Sequence, residues 1–288
     1  MRGFFDEPTQ TISYLVSDPE TNAAAIIDPV LDFDPASGRV STRSAEAMLA
    51  AADADGLRVE LLLETHVHAD HLTAVQFLKA RTGATLAIGA GVVEVQRAFA
   101  PRFAADDMKP DGGDFDRLLH DGDRLGLGSL SIEVIATPGH TPGCVSYLVG
   151  DAVFVGDTLF MPDYGTARTD FPGGDARSLY ASIRRLLSLP PETRMFLCHD
   201  YRVPGRDGYC WETTVGEQAE RNAHIGGDIG EEQFVAMRRE RDSTLSTPQL
   251  LLPAIQVNIR GGRLPPADES GRRSLTIPLT IDGSERFP

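Results

Sequence analysis

The sequence predicts an α/β fold built on mixed sheets, and three observations carry that prediction. Short apolar runs of strand length alternate with Ala-rich or amphipathic stretches of helix length. Several strand-like runs are joined by tight turns of the hairpin kind, so the sheets contain antiparallel as well as parallel pairs. Most of the runs end on a histidine or an aspartate, and strand ends are where α/β proteins collect their ligands. The chemistry is therefore expected on one rim.

Taken in order, Thr11 to Val16 and Ala24 to Ile27 read as a hairpin closed by Asp28-Pro29. Residues 42–55, Ala-rich with Met48 and Leu49, read as a helix. Val59 to Leu63 is an unbroken apolar run, as expected of a strand buried on both faces, and it stops where the histidines begin. Beyond it, Leu72, Val75, Phe77 and Leu78 predict a helix with Gly83 as its C-cap and Asp70 at the place of an N-capping carboxylate. Thr85 to Ile88 is a strand candidate, and Ile132 to Ala136 runs into Thr137-Pro138-Gly139-His140. Val145 to Val149 pairs across Gly150-Asp151 with Val153 to Val155, which leads to Gly156-Asp157. A helix over 176–189, stopped by Pro190-Pro191, precedes a strand from Met195 to Cys198 and then His199-Asp200.

After about residue 202 the composition shifts to glycine, charge and short helices (214–224 and 231–241). The stretch Leu250 to Ile259 is too apolar for a free linker and is expected to pack on the core. The organisation expected is a core over residues 1–200 with an extension, 201–288, packed on it in the same domain. The chain has no tandem repeat and no low-complexity tract.

A hydrophobic fraction of 41% and a charged fraction of 24% are those of a chain that buries a core, which excludes collagen, coiled coil and dominant disorder. With 27 Lys+Arg against 42 Asp+Glu the net charge is −15, a surface that repels phosphate backbones and anionic membranes. Neither nucleic acid nor a membrane is expected as a partner, and no apolar run reaches the ~18 residues of a membrane span. Only Lys79 and Lys109 are lysines, so an anionic substrate has to be met by a local arginine. Cys144, Cys198 and Cys210 form an odd set without a CxxC pair, and Met1 to Pro8 meets Asp6, Glu7 and a proline before an apolar run develops. Both point away from secretion and to the cytoplasm.

The seven histidines are the most informative residues. In His66-Val67-His68-Ala69-Asp70-His71, two imidazoles two apart on an extended segment point the same way, and the turn that follows brings Asp70 and His71 round the same space. A single histidine is more often a surface or satisfied core residue, but this run backed by His140, Asp157 and His199 at strand ends predicts a metal centre.

Asp28, the His66–His71 run, His140, Asp157 and His199, in that order, resemble the five motifs of the metallo-β-lactamase superfamily over roughly residues 10–200. The resemblance implies an αββα sandwich of two mixed β-sheets flanked by helices. In its hydrolases, such as glyoxalase II, these ligands hold two metals about a hydroxide; in its persulfide dioxygenases, also called sulfur dioxygenases, two His and one Asp hold a single ferrous iron. Three segments resemble the dioxygenases: the opening Phe5-Asp6-Glu7-Pro8 with Thr11 to Val16 and Ile26 to Val30; Ala167-Arg168-Thr169-Asp170-Phe171, similar to a GRTDF signature; and Leu252 to Gly262, similar to a strand-like C-terminal ending. Thr166 stands where relatives with a CGRTDF run have cysteine, and with Met161 to Gly165 before it the chain resembles a bacterial β-lactamase-like hydrolase subgroup associated with sulfide responses.

The dioxygenase resemblance implies catalytic metal ligands His66, His140 and Asp157 on one Fe(2+) per chain, a facial set that leaves positions open for a persulfide sulfur and dioxygen. Glutathione persulfide and O2 would be the substrates, sulfite and glutathione the products, and a homodimer the assembly. His68, Asp70, His71 and His199 would orient the ligands or form a second metal site. Arg168 would grip a glutathione carboxylate or pair structurally with Asp170 or Asp163; Tyr201, in His199-Asp200-Tyr201, would donate to the bound thiol or pack. Cys144 and Cys198 are small buried residues or a redox relay. A dinuclear thioester hydrolase and a metal-bearing sensor without turnover are the alternative functions.

Overall fold

The computed structural model describes residues 1–279, so the part of the extension expected over 280–288 lies outside the described residues. One six-stranded sheet runs in the order β1 (Arg2–Asp6), β2 (Thr11–Ser17), β3 (Ala23–Ile27), β6 (Arg58–Glu64), β8 (Thr85–Gly89) and β9 (Arg117–Leu119). Its first two joints are antiparallel and the rest parallel. A second six-stranded sheet runs β10 (Arg124–Leu127), β11 (Leu130–Ala136), β12 (Val145–Val149), β13 (Ala152–Phe154), β14 (Arg194–Phe196) and β15 (Glu212–Thr214). Only β13 and β14 pair in parallel there. A small third sheet joins β5 (Arg39–Ser41), β4 (Val30–Asp34) and β7 (Leu72–Thr73).

The two-residue period of the strands builds the layers. In β3, Ala25 and Ile27 face the second sheet while Ala24 and Ile26 face the opposite way, and in β6 Leu63 and Leu62 divide likewise. The unbroken apolar run is thus buried on both faces. Between the sheets, Ile12, Tyr14 and Val16 meet Val134, Tyr147, Phe154 and Phe196. The outer face of the first sheet is covered by α1 (Arg43–Ala54), α2 (Val75–Thr82), α3 (Val92–Phe99) and α7 (Leu251–Asn258). That of the second is covered by α4 (Ala176–Leu186), α5 (Val215–Arg221) and α6 (Glu231–Asp242). The result is helix, sheet, sheet, helix, the four-layer sandwich that the motifs imply. No helix of the described residues is long and apolar enough to cross a membrane.

Two expectations are corrected. Asp70 does not cap α2: the helix starts five residues later, at Val75, after Leu72 and Thr73 pair with Leu31 and Val30, and Ala74 occupies the N-cap position. The short β7 consumes the residues that the cap would need and leaves the Asp70 carboxylate to the rim. Gly83 does close α2, at φ 71°. The ending Leu252 to Gly262, likened to a strand, is instead α7 and the turn behind it. Pro253 falls in the first turn, where its missing N–H has no intrahelical partner to lose, and Gly261 and Gly262 follow at positive φ.

Both sheets deliver their loops to one edge, where backbone bonds stitch them together. Ile12 N donates to Cys198 O at 2.7 Å, and Val145 N to Thr65 O at 2.9 Å. His140 reaches this edge through Gly139, whose φ of 142° suits glycine alone, and a Cβ there would lie 2.4 Å from the backbone N and Cα of Leu179 in α4. Gly139→Ala is expected to cost about 2 kcal/mol or more in strain and displacement of α4. Calorimetry should show the thermal midpoint fall by at least about 4 °C; an unshifted midpoint would mean that Leu179 withdraws freely.

Candidate metal centre

The site grows from the end of β3. Asp28 is 2% exposed and takes φ 49°, a left-handed conformation that Asp tolerates better than most residues. Its carboxylate accepts from Thr65 N and Thr65 Oγ1, both at 2.7 Å, and lies 3.0 Å from His68 Nε2. Because the Thr65 hydroxyl proton goes to Asp28, Thr65 Oγ1 acts as acceptor for His66 Nδ1 at 3.0 Å. His66 therefore carries its proton on Nδ1 and turns the Nε2 lone pair to the rim.

Backbone carbonyls, which only accept, set the same tautomer elsewhere. His140 Nδ1 donates to Arg168 O at 2.8 Å, His71 Nδ1 to Leu72 O at 3.1 Å and His199 Nδ1 to Gln10 O at 3.1 Å. Each leaves Nε2 free. His66 Nε2 and His140 Nε2 lie 3.9 and 3.7 Å from Asp157 Oδ2, and His199 Nε2 lies 3.3 Å from Asp157 Oδ1 and 3.4 Å from Asp70 Oδ2. Asp70 Oδ2 also accepts from Thr11 Oγ1 at 3.2 Å. His68 is turned round, with Nε2 on Asp28 and on Glu64 (3.2 Å).

Donor atoms of His66, His140 and Asp157 lie within 4.8 Å of one another, and so do those of His68, Asp70 and His71. Five of the seven histidines thus share one cluster. Buried and without a hydrogen-bond partner are His66 Nε2, His71 Nε2, His199 Nε2 and Asp157 Oδ1. A lone pair left so costs about 1–3 kcal/mol, and several converging on one place are what a cation satisfies. The residues fit a metal.

The electrostatics agree. Burial, with the imidazoles of His68, His140, His199 and His71, holds His66 well below the ordinary histidine value, so it is neutral as a ligand must be. Burial and then His68 bring His71 down to about 4. On His68 burial opposes charge, but Asp28 and Glu64 outweigh it and raise the pKa well above the ordinary value. Asp70 falls to about 2 because His199, His71 and His68 outweigh its burial. Burial lifts Glu64 to about 7.

The extension holds this rim from behind. Asn258 of α7 donates through Nδ2 to His68 O at 2.9 Å and His71 O at 2.8 Å, and accepts from Thr73 N at 2.9 Å. In α6, Asp242 accepts from Thr169 N and Oγ1, both at 2.9 Å, while the fully buried Arg238 pairs with Asp242 and donates to Thr166 O. Thr166 N donates to His224 Nδ1, and burial brings that imidazole down to about 4, keeping it an acceptor. The strap 166–171 is thereby fixed against His140, with the Phe171 ring edge-on at 5.2 Å.

A cavity of about 560 Å³ opens from the donor set, lined among others by His140, Asp157, Arg168, Phe171, Tyr201 and Arg241. Of the two roles open to Arg168, the structural pair is formed: Nε and Nη2 each donate to a different Asp170 oxygen at 2.6 Å, and Nη1 donates to Ser246 O. Asp163 pairs with Arg206 instead. The Tyr201 ring stacks on His199 at 5.3 Å, and desolvation with the Asp157 and Asp70 charges pushes its phenol well above the ordinary value, so the hydroxyl stays a donor. Cys144 and Cys198 are buried free thiols. Glu64, Asn258, Arg238, Asp242 and His224 escaped the sequence reading, although Glu64 ends an apolar strand, Asn258 interrupts an apolar run, and Arg238 and Asp242 stand at i, i+4.

The family model of the metallo-β-lactamase superfamily matches residues 6–199. A probable metallo-hydrolase of Burkholderia pseudomallei is 54% identical over 97% of this chain and 98% of its own. Human mitochondrial persulfide dioxygenase ETHE1 is 31% identical over 91% and 88% of the two chains. The crystal structure of ETHE1 from Myxococcus xanthus superposes with a TM-score of 0.73 at 32% identity, covering 91% of this chain and 99% of that one. Bacterial β-lactamase hydrolase-like proteins at 50–52% identity are longer, and the chain spans 64–65% of their length.

Asn258→Ala should leave the His68 and His71 carbonyls without their donor. Helix content by circular dichroism should persist while affinity for the bound metal, read by chelator competition, drops about 10- to 100-fold. Undiminished affinity would show that α7 does not position the histidine loop.

Proposed function

The chain belongs to the metallo-β-lactamase superfamily, and on that premise we propose that it is an iron-dependent persulfide dioxygenase acting on glutathione persulfide. The observation that carries the proposal is the contact between the strap and the donor set. Arg168 O accepts from His140 Nδ1 and the Phe171 ring abuts the same imidazole, so the segment resembling the dioxygenase signature walls the cavity beside His66, His140 and Asp157. The likeness to two proteins named ETHE1, one of them a persulfide dioxygenase, supports the same reading.

His66 Nε2, His140 Nε2 and Asp157 would hold one Fe(2+), which when bound supplies the redox chemistry joining a persulfide sulfur to dioxygen. The protein supplies the rest. Thr65 and Arg168 O keep both imidazoles in the ligand tautomer. Phe160, Phe171 and Leu250 line the cavity and limit water. The Tyr201 hydroxyl, kept protonated, donates a hydrogen bond toward the thiol sulfur. Overall, the terminal sulfur, both atoms of O2 and one water give sulfite and glutathione. The three free thiols accord with a reducing compartment, and we place the reaction in the cytoplasm.

A thioester hydrolase with two metals is the second reading, favoured by the unpartnered Nε2 atoms of His71 and His199 beside Asp70 and by the relative named a probable metallo-hydrolase. Anaerobic purification with iron and zinc counts, followed by O2 uptake on glutathione persulfide beside cleavage of S-lactoylglutathione, separates the two. About one iron per chain with O2 uptake and no thioester cleavage is expected. Two metals per chain with thioester cleavage and no O2 uptake would overturn the proposal; metal bound with neither activity would favour a sensor. Asp157→Ala should lose iron from the purified protein, and retained iron would contradict the ligand assignment.

A further inference from the structure

We infer that Arg241, in the last turn of α6, is the cation that receives a carboxylate of the substrate, with its guanidinium carried on the ring of Tyr164. The inference rests on the glutathione-derived substrate proposed above and names the group that recognises it. A protein of net charge −15 has to meet an anionic ligand with a local cation, and the cavity is lined by two arginines, Arg168 and Arg241. Arg168 is committed: both oxygens of Asp170 occupy its fork and cancel its charge, and Ser246 O takes the remaining nitrogen.

Arg241 is exposed at the cavity wall and among the described residues enters no ion pair. The adjacent carboxylate, Asp242, is taken by Arg238 at 2.7 Å and by Thr169, so it does not draw the Arg241 fork away. The guanidinium lies 5.9 Å from the centre of the Tyr164 ring, a cation–π contact that steadies a long side chain without using its donors. A planar fork so presented suits a carboxylate, which it grips by two parallel bonds.

The wall between Arg241 and the donor set is continuous. Tyr164 meets Tyr201 at 4.9 Å between ring centres, and Tyr201 stacks on His199 at 5.3 Å with 16° between planes. Three aromatic steps thus lead from the guanidinium to an imidazole of the metal centre. Arg241, Tyr164, Tyr201, His140 and Asp157 all line the same cavity, so a peptide thiol lying along this wall sets a terminal carboxylate on Arg241 and turns its sulfur to the donor set.

Titration calorimetry on the metal-loaded protein tests this with glutathione itself and with glutathione diester, whose carboxylates are masked. Wild type is expected to bind glutathione, with Arg241→Gln weakening it about tenfold or more and Arg241→Lys less. The diester should bind wild type and Arg241→Gln equally weakly. Equal affinity of wild type and Arg241→Gln for glutathione, diester binding to wild type as tight as glutathione, or no binding of glutathione to wild type would each overturn the inference. Because no persulfide or O2 enters the titration, failure of the proposed oxidation leaves this result standing, and the reverse holds.

Discussion

The buried carboxylate of Asp28 ties three chain segments to one another. It sits at the end of β3, binds Thr65 at the end of β6, holds His68 in the loop beyond, and lies 3.7 Å from the Cys198 thiol beyond β14 in the other sheet. A buried charge is tolerated only when it is paired and hydrogen-bonded, and burial is the largest influence on this group, working to protonate it. His68 and Thr65 reverse that effect and hold the carboxyl below its usual range. The same contacts dictate chemistry at a distance. By taking the Thr65 proton Asp28 makes that oxygen an acceptor, which fixes the tautomer of His66; by taking His68 Nε2 it turns that ring away from the orientation of the other four. A left-handed φ at a non-glycine residue costs on the order of 1 kcal/mol, and those contacts hold it.

Tautomer control by acceptors recurs round the rim, and the acceptors come from far apart in the chain: Gln10 for His199, Leu72 for His71, Arg168 for His140. A metal centre built in this way is only as well placed as the loops that carry those carbonyls. The helices beyond residue 202 serve that end. Asn258 ties two carbonyls of the histidine loop, and Asp242 with Arg238 ties the strap that carries Arg168. Both anchors are buried polar groups on helices whose apolar faces pack on opposite sheets, so the outer layers brace the rim from both sides of the sandwich.

The α/β class, the hairpin of β2 and β3, and the metal cluster were legible because each rests on short-range signals: period-2 strands, tight turns and ligands at strand ends. What escaped depended on long-range partners. Gln256 and Asn258 in α7 and Arg260 just beyond it alternate with apolar residues, a period that reads as strand. All three are buried, and each has a distant partner: Thr276, the histidine loop and Asp107. Tertiary bonds, not local propensity, make that period. Asp70 has the composition of a cap but lies beside β7, a strand two residues long that has no sequence signature of its own and exists through pairing with β4.

Arg168 meets the donor set through its backbone and not through its guanidinium. The sequence offers the guanidinium as a carboxylate grip, yet the fork is closed on Asp170 and lies 5.0 Å from the Phe171 ring centre. Closing the fork immobilises the strap, and it is the carbonyl of Arg168 that reaches the metal centre, through His140. The consequence of this half-buried pair is positional, because a carbonyl that wandered would release the His140 proton to either nitrogen. Neutralising Arg168 also removes one of the two positive charges from the cavity lining of an acidic protein. Recognition of an anion then falls to a cation held by a ring instead of a carboxylate, since a cation–π contact steadies the side chain and leaves both its charge and its donors for the ligand.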